Sequence, residues 1–232
     1  MLLLLSAATF HGFGFAESSR RTILVLGDSI AAGFGLDAEQ AFPRQLQKKI
    51  DAANLPFQVV NAGVSGDTSA GGLRRVDWQL KRPCEVLILE LGGNDGLRGL
   101  SVEDMQRNLQ AIIDRARAKY PQVRILVAGM QMPPNLGSDY ARSFRQAFAT
   151  IAQKNHTALI PFLLEGVGGI PELNLPDRIH PTAEGHKIVA ENVWKILGPI
   201  LKEIESGTGG TSAGRLTVSK TTNSAAGAGI QR

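Results

Sequence analysis

Two short stretches far apart in the chain carry a serine and a histidine whose neighbours suit nucleophilic chemistry. The first, "ILVLGDSIAAGFG" (23–35), turns polar at Asp28 and Ser29, and the second, "LPDRIHP" (175–181), contains Asp177 and His180. A serine hydroxyl is a weak nucleophile that needs a base within hydrogen-bond reach, and an imidazole titrates in the right range for that task. Asp177 precedes His180 by three residues, so its carboxylate can orient the ring and stabilise the imidazolium. This pattern favours Ser29 as nucleophile, His180 as base and Asp177 as its partner.

Two glycine-containing stretches offer donors for the negative charge that such an attack creates. They are "NAGVSGDTS" (61–69), which contains Gly66, and "GGND" (92–95), which contains Asn94. An oxyanion is stabilised by donors that are already in place, and glycine allows the backbone to come close to it. We therefore expect an oxyanion hole built from the backbone N–H groups of Ser29 and Gly66 and the side-chain amide of Asn94.

Each stretch also has an ordinary structural interpretation when it is taken alone. Gly-Asp-Ser and Gly-Gly-Asn-Asp are common in turns, Asp-x-x-His-Pro can be a loop that caps a helix, and Asp28 can cap nearby backbone groups. Three further histidines, at positions 11, 156 and 186, are expected to be structural or exposed. The functional interpretation depends on the co-occurrence of all four polar stretches.

Five apolar runs predict the strands that must position these residues. Most are continuous Val/Ile/Leu runs, which is typical of strands buried on both faces. The runs cover residues 22–27, 57–62, 85–91, 123–130 and 156–162.

Helical patterns separate the strands. They cover about residues 42–53, 69–81, 101–116 and 140–154, and a last helix is predicted to begin at Pro181, a favoured first helical residue. Strands that alternate with helices imply a parallel sheet covered on both faces, so we predict a three-layer α/β/α fold of flavodoxin-like type with strand order 2-1-3-4-5. Ligands bind outside the carboxyl ends of such strands, where the order reverses, and all four polar stretches should meet there.

The same four stretches resemble the four conserved blocks of the SGNH (GDSL-type) hydrolases. The resemblance extends over about residues 22–203, and "ELGGNDGLRG" and "VVNAGVSGDTS" are similar to the bacterial periplasmic multifunctional esterases that act as thioesterase, lysophospholipase and arylesterase. It implies that Ser29, His180 and Asp177 form the triad and that Ser29, Gly66 and Asn94 form the oxyanion hole. It also implies cleavage of short- to medium-chain carboxylic esters, including aryl esters, through an acyl-enzyme, with no metal and no cofactor.

Two alternatives to an esterase stay open from the sequence. Thioesterase or lysophospholipase activity depends on the loops at 96–100, 133–140 and 166–176, where Leu136, Ile170 and Leu173 can line an acyl groove or simply pack within their loops. A non-catalytic binding module on the same scaffold is the second alternative, because a fold does not imply a function.

The chain length and composition predict one globular domain with two extra segments. Residues 1–16, an apolar run followed by small residues but without a preceding Lys or Arg, resemble a secretory signal peptide, which predicts a periplasmic or secreted protein cleaved before Glu17. The hydrolase domain is expected over 17–205, followed by a disordered Gly/Ser/Thr/Ala-rich tail over 206–232. The lone cysteine, Cys84, opens an apolar run and is expected to be buried.

The expected partner is a small-molecule acyl ester. The net charge of +4 falls partly in the acid-free tail, and no block of basic residues points to nucleic acid. The leader is too short for a membrane span, so no integral span is predicted. We expect a monomer or a weak dimer.

Overall fold

The computed structural model describes residues 20–132 and 136–207. The predicted signal peptide (1–16) lies outside these residues. So does the predicted tail, apart from Ser206 and Gly207, which form the turn after the last helix.

Five parallel strands form a single sheet over the described residues. The observed order, β2-β1-β3-β4-β5, confirms the predicted one. In β3 all five residues are buried, as its continuous apolar run predicts. The strands are β1 (Arg21–Gly27), β2 (Phe57–Gly63), β3 (Val86–Glu90), β4 (Arg124–Ala128) and β5 (Ala158–Ile160).

Strand β5 is shorter than the sequence pattern predicts, with three residues instead of seven. At its start, His156 adopts a left-handed conformation (φ 49°) that ends the preceding helix, and its side chain is exposed. At its end, Pro161 has no N–H group for the sheet. The apolar run is therefore cut from both sides.

Helices cover both faces of the sheet, which confirms the three-layer α/β/α fold. Helices α2 and α7 pack together on one face, and α3, α5 and α6 cover the other. The helices are α1 (Ser29–Ala32), α2 (Phe42–Ala52), α3 (Ser69–Gln79), α4 (Gly93–Leu97), α5 (Val102–Lys119), α6 (Ser138–Asn155) and α7 (Ala183–Glu205).

The start of α7 differs from the prediction, which placed it at Pro181. Leu175 N–H donates to His180 O at 2.7 Å, and Thr182 N–H donates to Leu173 O at 2.9 Å. These bonds pair Pro181 with Asn174 in an antiparallel bridge, which holds the backbone extended. Helix α7 therefore starts only at Ala183, with Thr182 as its N-cap.

Two further predictions concern the lone cysteine and membrane-spanning helices. Cys84 is buried as predicted, its thiol donates to Val86 O, and burial raises the pKa of that thiol to about 11. Within the described ranges, none of the helices combines the length and the hydropathy that crossing a membrane requires.

Candidate active site

Ser29 lies directly beyond the carboxyl end of β1, as the first residue of α1. The Asp28 carboxylate caps this helix, because its Oδ1 accepts a hydrogen bond from Ile30 N–H at 2.9 Å. The N–H of Ser29 lies in the first turn, where no helical carbonyl can accept it. A short strand-to-helix turn thus presents both the hydroxyl and the N–H of Ser29 at the sheet edge.

Asp177 and His180 lie in the loop that leads to α7. The Asp177 carboxylate holds the loop in a tight turn, since its Oδ1 accepts hydrogen bonds from Ile179 N–H (2.9 Å) and His180 N–H (3.0 Å). Arg178, at the tip of this turn, takes a left-handed conformation with φ 58°. The bridge at Pro181 fixes the other end of the loop.

The imidazole of His180 connects Ser29 to Asp177. Its Nε2 lies 2.9 Å from Ser29 Oγ, and its Nδ1 lies 2.7 Å from Asp177 Oδ2. The Phe34 ring covers the imidazole, with a centroid distance of 4.4 Å. The structure therefore brings together three residues that the sequence predicted as a group, in an order that permits proton transfer from hydroxyl to imidazole.

Asp177 is held in its ionised form. Its partial burial opposes ionisation, but the hydrogen bonds from Ile179 N–H and from His180 outweigh that effect and lower the pKa of Asp177 to about 2. An ionised carboxylate against Nδ1 favours the tautomer that leaves Nε2 free to accept a proton.

Gly66 lies in the loop that follows β2, and Asn94 lies in α4, the short helix that follows β3. Gly66 has φ 82°, a conformation that favours glycine, and its carbonyl accepts a hydrogen bond from Arg98 Nη2 at 2.9 Å. The Nδ2 of Asn94 donates to Asp67 O at 3.0 Å and to Asp28 Oδ2 at 3.3 Å. Asn94 thus connects the Gly66 loop to the turn that carries Ser29.

A cleft of about 630 Å³ opens beside Ser29 and Asn94, and Gly66 is not among the residues that line it. Ser29, Asn94 and His180 lie on its polar side. The apolar wall differs from the sequence expectation of Leu136, Ile170 and Leu173, and it is formed by Leu97, Met130, Met132, Phe162 and Leu164. Met130 and Met132 follow β4, and the apolar run of that strand did not indicate that the residues after it line a cleft.

Several other polar residues at this edge have structural partners. Asn61 bridges Ala31 O and Gly63 N–H, Asp67 pairs with Arg75 at 2.6 Å, and Asp95 accepts hydrogen bonds from Ser69 N–H and Oγ. Among the described residues, no cluster of His, Cys, Asp and Glu side chains is placed to hold a metal ion.

Three residues that support the site were not predicted from the sequence, namely Phe34, Arg98 and Glu90. Glu90 is fully buried at the carboxyl end of β3 and accepts hydrogen bonds from Asp28 N–H and Ala31 N–H. Its signal was a charged residue within the apolar run "EVLILEL". Phe34 and Arg98 gave no signal, because their contacts depend on how the loops pack.

Comparison with known proteins places this arrangement in a family. Residues 25–188 match the model of the GDSL-like Lipase/Acylhydrolase family. The chain is 42% identical to "Esterase TesA" of Pseudomonas aeruginosa over 187 residues, which cover 80% of this chain and 92% of that one. It is 34% identical to "Thioesterase 1/protease 1/lysophospholipase L1" of Escherichia coli K12, over 81% of this chain and 88% of the other.

A solved structure agrees with the sequence comparisons. The chain resembles the psychrotrophic esterase EstA from Pseudoalteromonas sp., inhibited by monoethylphosphonate, with a TM-score of 0.73 and 32% identity over 78% of this chain and 99% of that one. The chain therefore belongs to the GDSL-like Lipase/Acylhydrolase family and is an ester hydrolase of that family.

Proposed function

We propose that this enzyme cleaves short- to medium-chain carboxylic esters, including aryl esters, through an acyl-enzyme on Ser29. The observation that carries the proposal is the chain of contacts from Ser29 Oγ through His180 to Asp177, at the mouth of a largely apolar cleft. The named activities of the esterase and thioesterase relatives support it.

His180 moves the proton in both halves of the reaction. Ser29 Oγ attacks the ester carbonyl carbon while His180 Nε2 takes the hydroxyl proton, and the imidazolium then gives that proton to the leaving alcohol. Water attacks the acyl-enzyme in the same way, with His180 as base, and releases the acid and the free serine. Asp177 holds the ring in place and stabilises its positive charge in each half.

The charge that develops on the carbonyl oxygen needs donors beside Ser29. We assign this role to the N–H groups of Ser29 and Gly66 and to the Asn94 side-chain amide. Asn94 Nδ2 lies 3.0 Å from Asp67 O and 3.3 Å from Asp28 Oδ2 in the free enzyme, so these contacts hold the amide in position before substrate arrives. An oxyanion bound by this amide replaces or shares the longer contact to Asp28. Removing one such donor from an oxyanion hole typically costs about 10²–10³ in turnover.

Replacing the nucleophile tests the proposal directly. Ser29→Ala should lower kcat for p-nitrophenyl butyrate by roughly 10⁴–10⁶-fold, by analogy with other triads, because no acyl-enzyme can form. The circular dichroism spectrum and the unfolding midpoint should stay near those of the wild type, since only one hydroxyl is lost. Hydrolysis by Ser29→Ala near the wild-type rate would refute the assignment.

A fluorophosphonate probe separates catalysis from mere binding. The wild type should be labelled at Ser29, as seen by mass spectrometry, and Ser29→Ala should stay unlabelled. The phosphonate-inhibited relative supports this choice of probe. A non-catalytic binding module gives no labelling of either protein.

Thioesterase or lysophospholipase action is the second candidate, and the apolar wall of the cleft favours it. Met130, Met132 and Phe162 can contact a single acyl chain beyond the scissile carbonyl. Rates measured over acyl chains of increasing length, with matched esters and thioesters and a lysophospholipid, decide between the two. An esterase gives its highest kcat/KM on short oxygen esters, whereas the second candidate prefers the long-chain thioester or the lysophospholipid.

We further propose a periplasmic or secreted enzyme, with residues 1–16 as its signal peptide and 17–205 as its hydrolase domain. We expect it to work as a monomer or weak dimer without nucleic acid. The intact mass of the protein recovered from the periplasm tests cleavage before Glu17. Light scattering tests the oligomeric state.

A further inference from the structure

Two buried carboxyl groups lie directly behind the turn that carries Ser29. Asp28 is 2% exposed and Glu90 is 1% exposed. Glu90 Oε2 accepts hydrogen bonds from Asp28 N–H at 3.0 Å and from Ala31 N–H at 3.3 Å. The Glu90 side chain thus binds the backbone on both sides of Ser29.

The second oxygen of Glu90 shows which form this side chain takes. Glu90 Oε1 is buried, and no N–H or O–H donor of the described residues reaches it. An ionised Glu90 would bury an unpaired negative charge on Oε1 next to a second buried acid, Asp28, so we infer that one of the two carboxyl groups carries a proton. Both Asp28 oxygens already accept hydrogen bonds, from Ile30 N–H and Asn94, so the proton belongs on Glu90.

At neutral pH the buried surroundings favour a single proton for the Asp28 and Glu90 pair. Burial, together with the charge of Asp28, raises the pKa of Glu90 well above its usual range. Burial also raises the pKa of Asp28, to about 6, although hydrogen bonds from Ile30 and Glu90 oppose that rise. Residue 27 is glycine because a Cβ there would lie 2.3 Å from Glu90 Oε2.

We propose that Glu90 is a positioning residue that works as a neutral carboxylic acid, clamping the backbone around Ser29 and donating its proton to Asp28. Asp28 in turn holds Ile30 N–H and the Asn94 amide. Glu90 therefore sets the nucleophile and one oxyanion donor through a single hydrogen-bonded unit. This inference rests on the role proposed for Ser29.

Glu90→Gln is the variant that distinguishes the neutral acid from a carboxylate. The glutamine amide can donate to Asp28, while its oxygen accepts from Asp28 N–H and Ala31 N–H. Glu90→Leu has a similar size but removes every one of these bonds. Glu85→Gln, at the opposite end of β3, is the matched control for the loss of a glutamate.

The first measurement is the unfolding equilibrium as a function of pH. The pKa of Glu90 is higher in the folded protein than in the unfolded chain. The free energy of unfolding therefore falls as pH rises above the unfolded-state pKa of Glu90, because the unfolded chain then releases a proton that the folded protein keeps. From about pH 5.5 upward, the ratio of folded to unfolded wild type should fall about tenfold per pH unit relative to Glu90→Gln. The charge of His180 acts on Asp28, and Arg75, which is paired with Asp67, donates to Gly27 O beside it. These groups, and Asp95 in α4, are common to both proteins, so their contributions cancel in the difference.

The second measurement is the split between kcat and KM for p-nitrophenyl butyrate. Glu90→Gln should keep a kcat close to that of wild type and Glu85→Gln, because the clamp is preserved. Glu90→Leu should lower kcat by about 10²-fold with little change in KM, since a small displacement of the nucleophile is enough for that loss. If Glu90→Leu does not fold, Glu90→Gln alone still decides the matter.

Three results would overturn the inference. A stability difference between wild type and Glu90→Gln that does not change with pH shows that Glu90 is ionised in the folded protein. A kcat of Glu90→Gln as low as that of Glu90→Leu shows that a neutral side chain does not replace Glu90. A kcat of Glu90→Leu as high as that of wild type shows that the clamp does not position Ser29. These results are distinguishable from a wrong assignment of Ser29. If Ser29 is not the nucleophile, the wild type is not labelled at Ser29 by the fluorophosphonate, but the pH dependence of its stability relative to Glu90→Gln is unchanged.

Discussion

The Asp177 carboxylate has two tasks at the scale of a single residue. One oxygen fixes the backbone turn through Ile179 N–H and His180 N–H, and the other faces His180 Nδ1. Asp177→Asn should keep the turn, because an amide oxygen also accepts hydrogen bonds. Its NH₂ group, however, would face Nδ1 as a donor and favour the wrong imidazole tautomer.

We therefore expect Asp177→Asn to lower kcat by about 10³–10⁴-fold while the fold is kept. Stopped-flow or steady-state assays with p-nitrophenyl butyrate, together with the unfolding midpoint, measure the two effects separately. Asp139→Asn, an exposed aspartate in the first turn of α6, serves as control. A kcat within a few-fold of wild type would mean that the carboxylate does not set the tautomer.

The residues with chemical function were largely predictable from the sequence, but their supports were not. Ser29, Asp177 and His180 stand in short recognisable stretches at predicted strand ends, and the structure brings their side chains together. Their roles, and those of Gly66 and Asn94, remain predictions. Glu90 could not be assigned, because its partner Asp28 is 62 positions away and meets it only when β1 and β3 pair.

At the scale of elements, a buried histidine joins two helices. Helix α2 begins at Phe42 after Ala41, which has no side chain to cap it. Phe42 N–H donates instead to His186 Nδ1 of α7, at 3.1 Å. Burial lowers the pKa of His186 to about 4, and the charge of His180 acts in the same direction.

This cap predicts an acid-sensitive contribution to stability. The folded-state pKa of His186 is depressed from 6.5, so the stabilisation is complete above pH 6.5 and is lost as pH falls toward 4. Relative to His186→Asn, which keeps an acceptor but cannot titrate, the wild type should lose about 3 kcal/mol over this range. Chemical denaturation at several pH values measures the difference, and parallel curves for the two proteins would contradict it.

The boundaries of helices and strands were predictable where neighbouring residues determine them. They were not predictable where hydrogen bonds to residues outside the element determine them. Helix α5 begins where expected, since Ser101 Oγ accepts from Asp104 N–H. The Pro181 prediction was wrong because the preference of proline for a first helical turn is weaker than two backbone hydrogen bonds to Leu173 and Leu175. The short helices α1 and α4 lie in stretches interpreted as turns.

At the scale of the whole molecule, the carboxyl edge and the amino edge of the sheet expose different features. The carboxyl edge carries the cleft, whereas the opposite edge carries Trp78, 67% exposed, with Lys81 Nζ 3.7 Å from its ring centroid. Helix α3 runs between the two edges, so Trp78 lies about 14 Å along the helix from Ser69.

We expect Trp78→Ala to leave kcat/KM for p-nitrophenyl butyrate close to the wild-type value. The unfolding free energy should change by no more than about 1 kcal/mol, because the side chain is mostly in water and its contact with Lys81 is exposed. The assay and a denaturation curve are run on the same preparation. A large loss of kcat/KM without a loss of stability would show that the two edges are coupled.

The bond between Ser29 and His180 joins positions that are 151 residues apart in the chain. No fragment that ends before His180 contains both partners, and closing so long a loop is entropically costly until the intervening strands have paired. With the roles proposed for Ser29 and His180, we therefore expect no ester hydrolysis from a chain that ends before His180 or has not yet paired its strands. During refolding, the first hydrolysis of ester should therefore report the moment at which the two distant parts of the domain have come together.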